Sequence, residues 1–154
     1  MPLANKAEEK FKEWLDEKGY PYLSINNFPE AYSSFFKDSN LKRPDFLILL
    51  HSLALIAVDV KERHFYNGHE DFILDEKEIE KYTAFERIFR IPVWFAFSNE
   101  SVRYRTWYWI SLSKVYNIEP KSSSITRNLF RPISITNCIT IGWNEGLGKL
   151  LDLI

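Results

Sequence analysis

The sequence is poor in cysteine and histidine and has no long apolar run, and each shortage excludes a class of protein. The one cysteine, Cys138, excludes an internal disulfide framework and a cysteine-ligated zinc or iron–sulfur site within one chain. The three histidines do not form a histidine-rich zinc motif. The longest apolar run, residues 53–58, is too short to cross a bilayer, and the polar N-terminus lacks the apolar segment of a signal peptide. These shortages predict a cytoplasmic protein that does not enter a membrane.

The chain also lacks the large positive charge of proteins that coat nucleic acids, because its net charge is only −1. That small value hides an asymmetry between the two halves. Residues 1–81 contain 11 Lys and Arg against 16 Asp and Glu, whereas residues 82–154 contain 9 against 5. A metal site needs local negative charge and phosphate contacts need lysine or arginine nearby, so the distribution is compatible with both.

Apolar and aromatic residues are abundant, at 45% and 16% of the sequence, which indicates a globular protein. A length of 154 residues suits one domain with a substantial core, and no internal repeat or linker divides the chain. We predict a single domain over residues 1–154, with its core at about 5–111 and a β extension at 112–154. Gly146-Leu147-Gly148-Lys149 lacks the strand and helix of a phosphate-binding loop, so no nucleotide cofactor is expected.

Two adjacent apolar runs carry the residues with the most distinctive chemistry. The first, Phe46–Leu50, follows Pro44-Asp45, and the second, residues 53–60, contains Asp59 and leads into Lys61. Side chains alternate along a strand, so Asp59 and Lys61 point to the same side. The tight turn between the runs predicts an antiparallel hairpin, which brings Asp45 and Asp59 to the same edge of the sheet.

Each half of this pattern has a simpler explanation when it is taken alone. Asp45 is well placed to cap a turn after Pro44, and Asp59 with Lys61 also suits a plain ion pair. Isolated charges on a buried strand are costly unless something compensates them. Two carboxylates that converge on a divalent cation, with an ammonium beside them, provide that compensation, and we favour this interpretation.

With these residues the sequence resembles the PD-(D/E)xK nuclease superfamily, which includes restriction endonucleases and Holliday junction resolvases. Pro44-Asp45 matches the first half of the motif and Asp59-Val60-Lys61 matches the second, and the resemblance extends over roughly residues 5–97. It implies an α/β restriction-endonuclease-like fold, with a mixed central sheet flanked by helices and an αβββαβ core. It also implies a Mg²⁺-dependent endonuclease, with Mn²⁺ as a substitute metal, that cleaves nucleic acid, for which we expect DNA.

The resemblance assigns roles to individual residues of the motif. Asp45, Asp59 and the Val60 carbonyl hold the metal, while Lys61 orients the attacking water or helps to deprotonate it. Glu8 joins the catalytic and metal-binding set, because Ala7-Glu8 ahead of an apolar position resembles the helix pair of resolvase-like families. A glutamate in a first helical turn is also favoured by the helix dipole alone.

Two helices are predicted on either side of the motif. The first begins after Asn5 and ends at Gly19, and its buried positions are Ala7, Phe11, Trp14 and Leu15. The second spans residues 76–90, and its buried stripe consists of Ile79, Tyr82, Phe85, Ile88 and Phe89. In this second helix Glu78 stands where resolvase-like relatives commonly have a glutamine, and Lys81 is predicted to contact phosphate. A solvated Glu78–Lys81 pair is the alternative.

Between these elements the signals indicate loops and one edge strand. Residues 20–25 suit an edge strand, residues 31–36 a short helical turn and residues 37–40 a loop. Residues 62–75 predict a long polar loop beside the site, with a turn at Asn67-Gly68. Arg63 in that loop is predicted to contact nucleic acid, and the roles of His64 and His69 stay open.

The second half of the chain is predicted to be rich in strands. Residues 91–97 have the continuous apolar character of a buried strand after a crossover helix, and Thr106–Ser111 is a further strand. Arg103 and Arg105 before it are predicted nucleic-acid contacts. Base stacking on Trp107 is one further interpretation, although its alternation equally well indicates burial. Residues 121–124 and 127–131 are predicted to form a polar, basic connection, followed by short β segments at 133–136 and 138–141.

The 25 aromatic residues (12 Phe, 8 Tyr and 5 Trp) exceed what a small core easily buries, which predicts an exposed aromatic patch. We expect an isologous homodimer, or a partner protein subunit, at that patch. A nuclease-like subunit without activity, serving as an assembly module in a larger nucleic-acid-processing complex, is a second hypothesis. A coincidental resemblance, with a purely structural hairpin, is the third.

Overall fold

The computed structural model describes residues 5–25, 33, 41–65 and 71–151 of the chain. Its helices are α1 (Lys6–Lys18), α2 (Glu76–Phe89) and the short α3 (Leu112–Val115). Its strands are β1 (Tyr22–Ser24), β2 (Phe46–Leu50), β3 (Ala54–Glu62), β4 (Asp71–Asp75), β5 (Val93–Ser98), β6 (Thr106–Ser111), β7 (Lys121–Ser122), β8 (Leu129–Ser134) and β9 (Ile139–Gly142). None of the helices in these ranges is long and apolar enough to cross a bilayer.

A six-stranded mixed sheet, in the order β1-β2-β3-β5-β6-β9, forms the centre of the fold. β3 and β5 pair in parallel, and the other neighbours in this sheet are antiparallel. A parallel pair needs a crossover connection, and α2 provides it between β3 and β5. The predicted α/β class with a mixed central sheet is confirmed, and the αβββαβ order holds when β4 is counted as an insertion.

The first helix has the predicted boundaries because both of its caps are encoded locally. Asn5 Oδ1 accepts a hydrogen bond of 2.8 Å from the backbone N–H of Glu8 at the N-terminus. Gly19 ends the helix at φ 75°, a left-handed conformation that glycine adopts without steric cost. The four predicted apolar positions of α1 are all fully buried.

The sheet separates two apolar cores, and β6 shows how the sequence builds both. Trp107 and Trp109 point into the core beneath α1, whereas Tyr108 and Ile110 point into the core beneath α2. This is the alternation expected of a strand with both faces covered. Trp107 is fully buried against Phe11 of α1, with ring centroids 5.1 Å apart, so it offers no surface for base stacking.

The predicted polar loop at residues 62–75 is wrong at both ends. β3 continues through Glu62, and Asp71–Asp75 forms β4, which pairs with β8 in a second, three-stranded sheet of order β4-β8-β7. The strand that pairs with β4 is β8, about sixty residues further along the chain, so the sequence around β4 alone did not predict this strand. The turn at Asn67-Gly68, His69 and the segments predicted at 31–36 and 37–40 lie outside the described residues, apart from Ser33.

The C-terminal residues also depart from their predicted roles. β9 is part of the main sheet, because it pairs with β6, whereas β8 belongs to the second sheet. Arg131 lies within β8 and is only 8% exposed, so residues 127–131 are not simply a polar connection. Its guanidinium forms a two-bond ion pair with the Glu76 carboxylate of α2, at 2.8 Å for each bond.

The exposed apolar surface of the described residues is mostly aliphatic, and the predicted aromatic patch is not found among them. Phe28, Tyr32, Phe35, Phe36 and Tyr66 lie outside the described residues. Ile88 and Phe89 of the predicted α2 stripe are 52% and 38% exposed, because helical spacing shows which face turns inward but not where the covering core ends. Phe89 and Tyr116 are the only large aromatic side chains exposed in the described ranges. The other exposed large apolar side chains are Leu23, Leu49, Leu53, Leu55, Ile88, Ile125, Leu129 and Leu151.

Candidate active site

The β2–β3 hairpin brings the two predicted motif carboxylates together. Its register pairs Phe46 with Val58, which places Asp45 beside Asp59 at the open end of the hairpin. The Asp45 backbone N–H donates to the Val58 carbonyl at 3.0 Å, and the Val60 N–H donates to Asp45 Oδ2 at 2.7 Å. The carboxyl groups of Asp45 and Asp59 lie close enough to interact electrostatically. The hairpin therefore holds an acidic pair at one edge of the sheet.

Burial makes this acidic pair electrostatically unequal. Desolvation, followed by the charge of Asp59, raises the pKa of Asp45 to about 9. Burial acts in the same direction on Asp59, but the charge of Lys61 and the interactions with Asp45, Lys42 and Glu78 together outweigh it, so the pKa of Asp59 is lowered. Two buried carboxylates cannot both carry a charge without a compensating cation, so in the metal-free protein one of them holds a proton.

Lys61 lies on the same side of β3 as Asp59, as the alternation predicts. Its Nζ is 2.8 Å from Asp59 Oδ2, and only 8% of the Lys61 side chain is exposed. Burial alone lowers the pKa of this ammonium, but Asp59 and Glu78 raise it above its ordinary value. The contact with Asp59 lacks hydrogen-bond geometry, so Oδ2 is a buried carboxylate oxygen that accepts no hydrogen bond.

Glu78 of α2 faces this site and is not part of a solvated face. Its carboxylate contacts the Lys61 ammonium directly and lies 2.7 Å from Lys42 Nζ, with only 13% of its side chain exposed. The alternative of a solvated Glu78–Lys81 pair is therefore wrong. The direction of the Glu78 side chain depends on the angle at which α2 crosses the sheet. That angle cannot be predicted from the sequence around Glu78.

Glu8 reaches the same region from α1, whose N-terminus is fixed to β3. The Ala7 backbone N–H donates to Glu62 Oε1 at 3.0 Å. Burial, followed by the negative charge of Asp59, raises the pKa of Glu8. The described residues nevertheless contain no group of three or more carboxylate, imidazole or thiol side chains arranged to hold a metal ion together. Glu8 thus lies within electrostatic reach of the acidic pair without completing a coordination set.

These residues surround one open cleft with a volume of about 420 Å³. Its lining consists of Asn5, Glu8, Leu41, Lys42, Arg43, Asp45, Asp59, Val60, Lys61 and Arg63. Of the predicted nucleic-acid contacts, Arg63 lines the cleft, whereas Lys81, Arg103 and Arg105 do not. Arg105 instead lies over the ring of Trp143, with the guanidinium carbon 4.4 Å from the ring centroid. His64 is exposed and does not line the cleft.

Sequence reasoning missed Lys42 and Arg43 as residues of this cleft. Both directly precede Pro44-Asp45, so their position beside the motif was the available signal. The Arg43 carbonyl accepts a hydrogen bond of 3.2 Å from Tyr82 Oη, which ties this segment to α2.

The similarity of the chain to known proteins is visible in structure and not in sequence. No protein-family profile matches the sequence, and no curated protein matches it. The crystal structure of Hjc, a Holliday junction resolvase from Archaeoglobus fulgidus, superimposes with a TM-score of 0.54 at 16% identity, covering 82% of this chain and 86% of that one. D212, a nuclease from a fusselovirus, gives a TM-score of 0.52 at 11% identity, covering 97% and 92%. The chain has the restriction-endonuclease-like fold.

The residues at the open end of the hairpin fit a divalent cation in this restriction-endonuclease-like fold. Carboxylate and carbonyl oxygens are the ligands that Mg²⁺ prefers. Asp59 Oδ2 is buried with the Lys61 ammonium 2.8 Å away, and the neighbouring carboxyl of Asp45 remains neutral only by holding a proton. A divalent cation beside the pair would allow Asp45 to release that proton, because it would compensate the negative charges of both carboxylates.

Proposed function

We propose that the protein is a metal-dependent endonuclease that hydrolyses phosphodiester bonds in nucleic acid, with DNA as the expected substrate. The observation that carries the proposal is the Asp45–Asp59 pair with Lys61 beside it, at the open end of a hairpin in a cleft. The fold supports it, because Hjc and D212, which have similar structures, are named as a resolvase and a nuclease.

In this proposal Asp45, Asp59 and the Val60 carbonyl would hold Mg²⁺, or Mn²⁺ in its place, with Glu8 approaching from α1. The ion, when bound, supplies the acidity that lowers the pKa of a coordinated water and the charge that offsets the phosphate. The protein contributes the geometry. The Val60 N–H fixes Asp45 through its 2.7 Å hydrogen bond, and the buried strand β3 fixes Asp59.

Lys61 is proposed to act on the reacting groups within the cleft. Its ammonium would orient the attacking water by hydrogen bonding and stabilise the negative charge that develops on the phosphate oxygens. The contacts with Asp59 and Glu78 hold the ammonium in the cleft before substrate arrives. Preorganised donors of this kind are effective because they need no rearrangement during the reaction.

Nucleic acid is proposed to lie along the cleft, with Arg63 contacting its backbone phosphates. Lys81, Arg103 and Arg105 remain proposed contacts for a substrate that extends beyond the cleft.

We also propose a homodimer, which would place one site on each strand of a duplex, with a partner subunit as the competing assembly. Light scattering at tens of micromolar tests this, since a monomer mass of 18.3 kDa would contradict the dimer.

The decisive experiment is a cleavage assay with Mn²⁺ and labelled linear, branched and single-stranded substrates. We expect cleavage of at least one DNA substrate by the wild type and none by Asp59→Asn. Glu8→Gln should reduce cleavage, whereas the neighbouring Glu9→Gln, which changes an exposed glutamate on the same helix, should not. Circular dichroism of each variant establishes that it is folded. Equal cleavage by wild type and Asp59→Asn would remove the assignment.

The second candidate is a nuclease-like assembly module without activity. The ion pair between Lys61 and Asp59 favours it, because an ammonium at 2.8 Å compensates the Asp59 charge without any metal. Calorimetric titration with Mg²⁺ and Mn²⁺ separates the two candidates. An endonuclease should bind metal in a manner lost in Asp59→Asn, whereas the inactive module should show no such binding.

A further inference from the structure

One carboxylate oxygen on α2 is shared by two lysines at the cleft. Glu78 Oε1 contacts Lys61 Nζ directly and lies 2.7 Å from Lys42 Nζ. Lys61 has Asp59 as a second anionic partner at 2.8 Å. Among the ion pairs of the described residues, Lys42 has one anionic partner, Glu78, and it shares that partner with Lys61. The cluster therefore leaves the Lys42 ammonium as its least compensated positive charge.

The four charged side chains become more exposed from Asp59 to Lys42. Three of them, Asp59, Lys61 and Lys42, line the cleft, and the most exposed of these, Lys42, marks its mouth. The exposed fraction is 5% for Asp59, 8% for Lys61, 13% for Glu78 and 37% for Lys42. Negative and positive charges alternate along this series, and the outermost member is positive. A substrate entering the cleft would thus meet Lys42 before it meets the acidic pair.

Lys42 is held at that mouth by two further features. Its ammonium lies 5.8 Å from the ring centroid of Tyr82, within the range of a cation–π contact. Tyr82 is fully buried, and its hydroxyl donates at 3.2 Å to the backbone carbonyl of Arg43, the residue that follows Lys42. These contacts restrict both the backbone and the side chain of Lys42, which lowers the entropy that a bound ligand must take from it.

We propose that Lys42 is a substrate-binding residue that contacts a nucleic-acid phosphate, and that Glu78 is a positioning residue that holds Lys61 while it partly neutralises Lys42. The proposal rests on the proposed function. A lysine ammonium has three N–H donors, and the ion pair with Glu78 uses one of them. A phosphate oxygen at the cleft mouth supplies the second anion that Lys42 lacks, while Glu78 continues to hold Lys61.

The first test measures binding without catalysis. Fluorescence anisotropy with the labelled oligonucleotide that wild type binds best, in EDTA and over a series of salt concentrations, gives the affinity and its salt dependence. We expect Lys42→Gln to weaken binding several-fold and to reduce the slope of log K against log salt by about one, the loss of one phosphate contact. Lys42→Arg should restore most of both.

Lys12→Gln is the matched control for this measurement. Lys12 makes the same kinds of contact, with Nζ 3.2 Å from Asp16 Oδ2 and 5.8 Å from the ring centroid of Tyr22, but it lies on α1 and does not line the cleft. It should leave the affinity and the salt slope unchanged. Equal losses in Lys12→Gln and Lys42→Gln would show a general charge effect and would overturn the proposal.

The second test concerns Glu78 and separates positioning from mere stability. Glu78→Gln keeps the size of the side chain and removes the charge that competes with phosphate. We expect tighter binding in EDTA together with a lower kcat, because Lys61 loses one of its two anionic contacts. The gain in affinity should vanish in the double variant with Lys42→Gln. Weaker binding by Glu78→Gln, or a gain that persists in the double variant, would overturn the proposal.

The failure of this inference differs from the failure of the proposed function. If wild type neither binds nor cleaves any substrate in the panel, the nuclease proposal itself has failed. If wild type binds and cleaves, but Lys42→Gln retains its affinity and salt slope with an unchanged circular dichroism spectrum, only the role of Lys42 is wrong.

Discussion

The first turn of α2 carries two glutamates two residues apart, and each meets basic side chains in a different way. Glu76 forms a two-bond ion pair with Arg131, and the remaining Arg131 nitrogen donates to the carbonyls of Val115, Tyr116 and Ile118 at 3.0–3.3 Å. Glu78, by contrast, divides one oxygen between two lysines. The Glu76 cluster is saturated with hydrogen bonds, whereas the Glu78 cluster is not.

The difference separates a structural ion pair from a functional one. A buried charge that is fully paired and hydrogen-bonded fixes the parts of the chain that supply its partners, here α2, β8 and the end of α3. A cluster with incompletely compensated charges is costly in the free protein and becomes favourable when a ligand completes it. The same helical turn thus anchors the second sheet on one side and faces the cleft on the other.

The largest expected effect is on catalysis and comes from Lys61, which contacts Glu78 in the cleft cluster. Lys61→Ala should reduce the single-turnover cleavage rate at least about 100-fold, the typical loss when a preorganised electrostatic group is removed. Lys77→Ala, which changes an exposed lysine on α2, should leave the rate unchanged. A Lys61→Ala protein that cleaves at the wild-type rate would contradict the functional role of this cluster.

The largest expected effect on stability comes from the Glu76 side. Arg131→Ala leaves a half-buried carboxylate without its partner and three carbonyls without their donor, and should lower the free energy of unfolding by about 3 kcal/mol. Urea denaturation measures the change. Arg127→Ala, in the exposed loop before β8, should change it by less than about 0.5 kcal/mol. Similar losses in the two variants would mean that the ion pair does not anchor the second sheet.

A smaller and opposite change in stability is expected in the cleft. Asp45→Asn removes a carboxyl group that must take up a proton on folding at neutral pH, because its pKa is raised to about 9, and its amide can still accept from the Val60 N–H. In EDTA at pH 7 we expect the free energy of unfolding to rise by about 1–2 kcal/mol, while cleavage is lost. A destabilised variant would show that the acidic pair is structural and not a metal site.

The smallest effect concerns Cys138, which lies between β8 and β9. Burial raises the pKa of its thiol from an ordinary value of 9.0 to about 12. The folded state therefore holds the thiol proton more tightly, so its contribution to stability is present below pH 9 and is lost as the pH rises toward 12. Between pH 8 and pH 10 the free energy of unfolding should fall by about 1 kcal/mol more in wild type than in Cys138→Ala. Unfolding curves of both proteins at the two pH values measure this difference. Identical pH dependences would contradict the burial.

The acidic pair was predictable from sequence because its determinants are local. Asp45 and Asp59 are joined by a tight hairpin, and strand alternation fixes their side, so the register follows from adjacent residues. The caps of α1 are local for the same reason. The contacts of Glu78 with Lys42, and of Glu76 with Arg131, span 36 and 55 positions. They depend on how α2 crosses the sheet, which no sequence pattern within either segment encodes.

The order of the strands also bears on when the site can form during synthesis. β3 carries Asp59 and Lys61, and it is hydrogen-bonded to β2 on one side and to β5 on the other. Until β5, which ends at Ser98, has left the ribosome, the chain exposes β3 as an unpaired apolar edge. We therefore expect a nascent chain that still lacks β5 to need chaperones to protect this exposed edge. The cleft should form only after translation has passed the middle of the sequence.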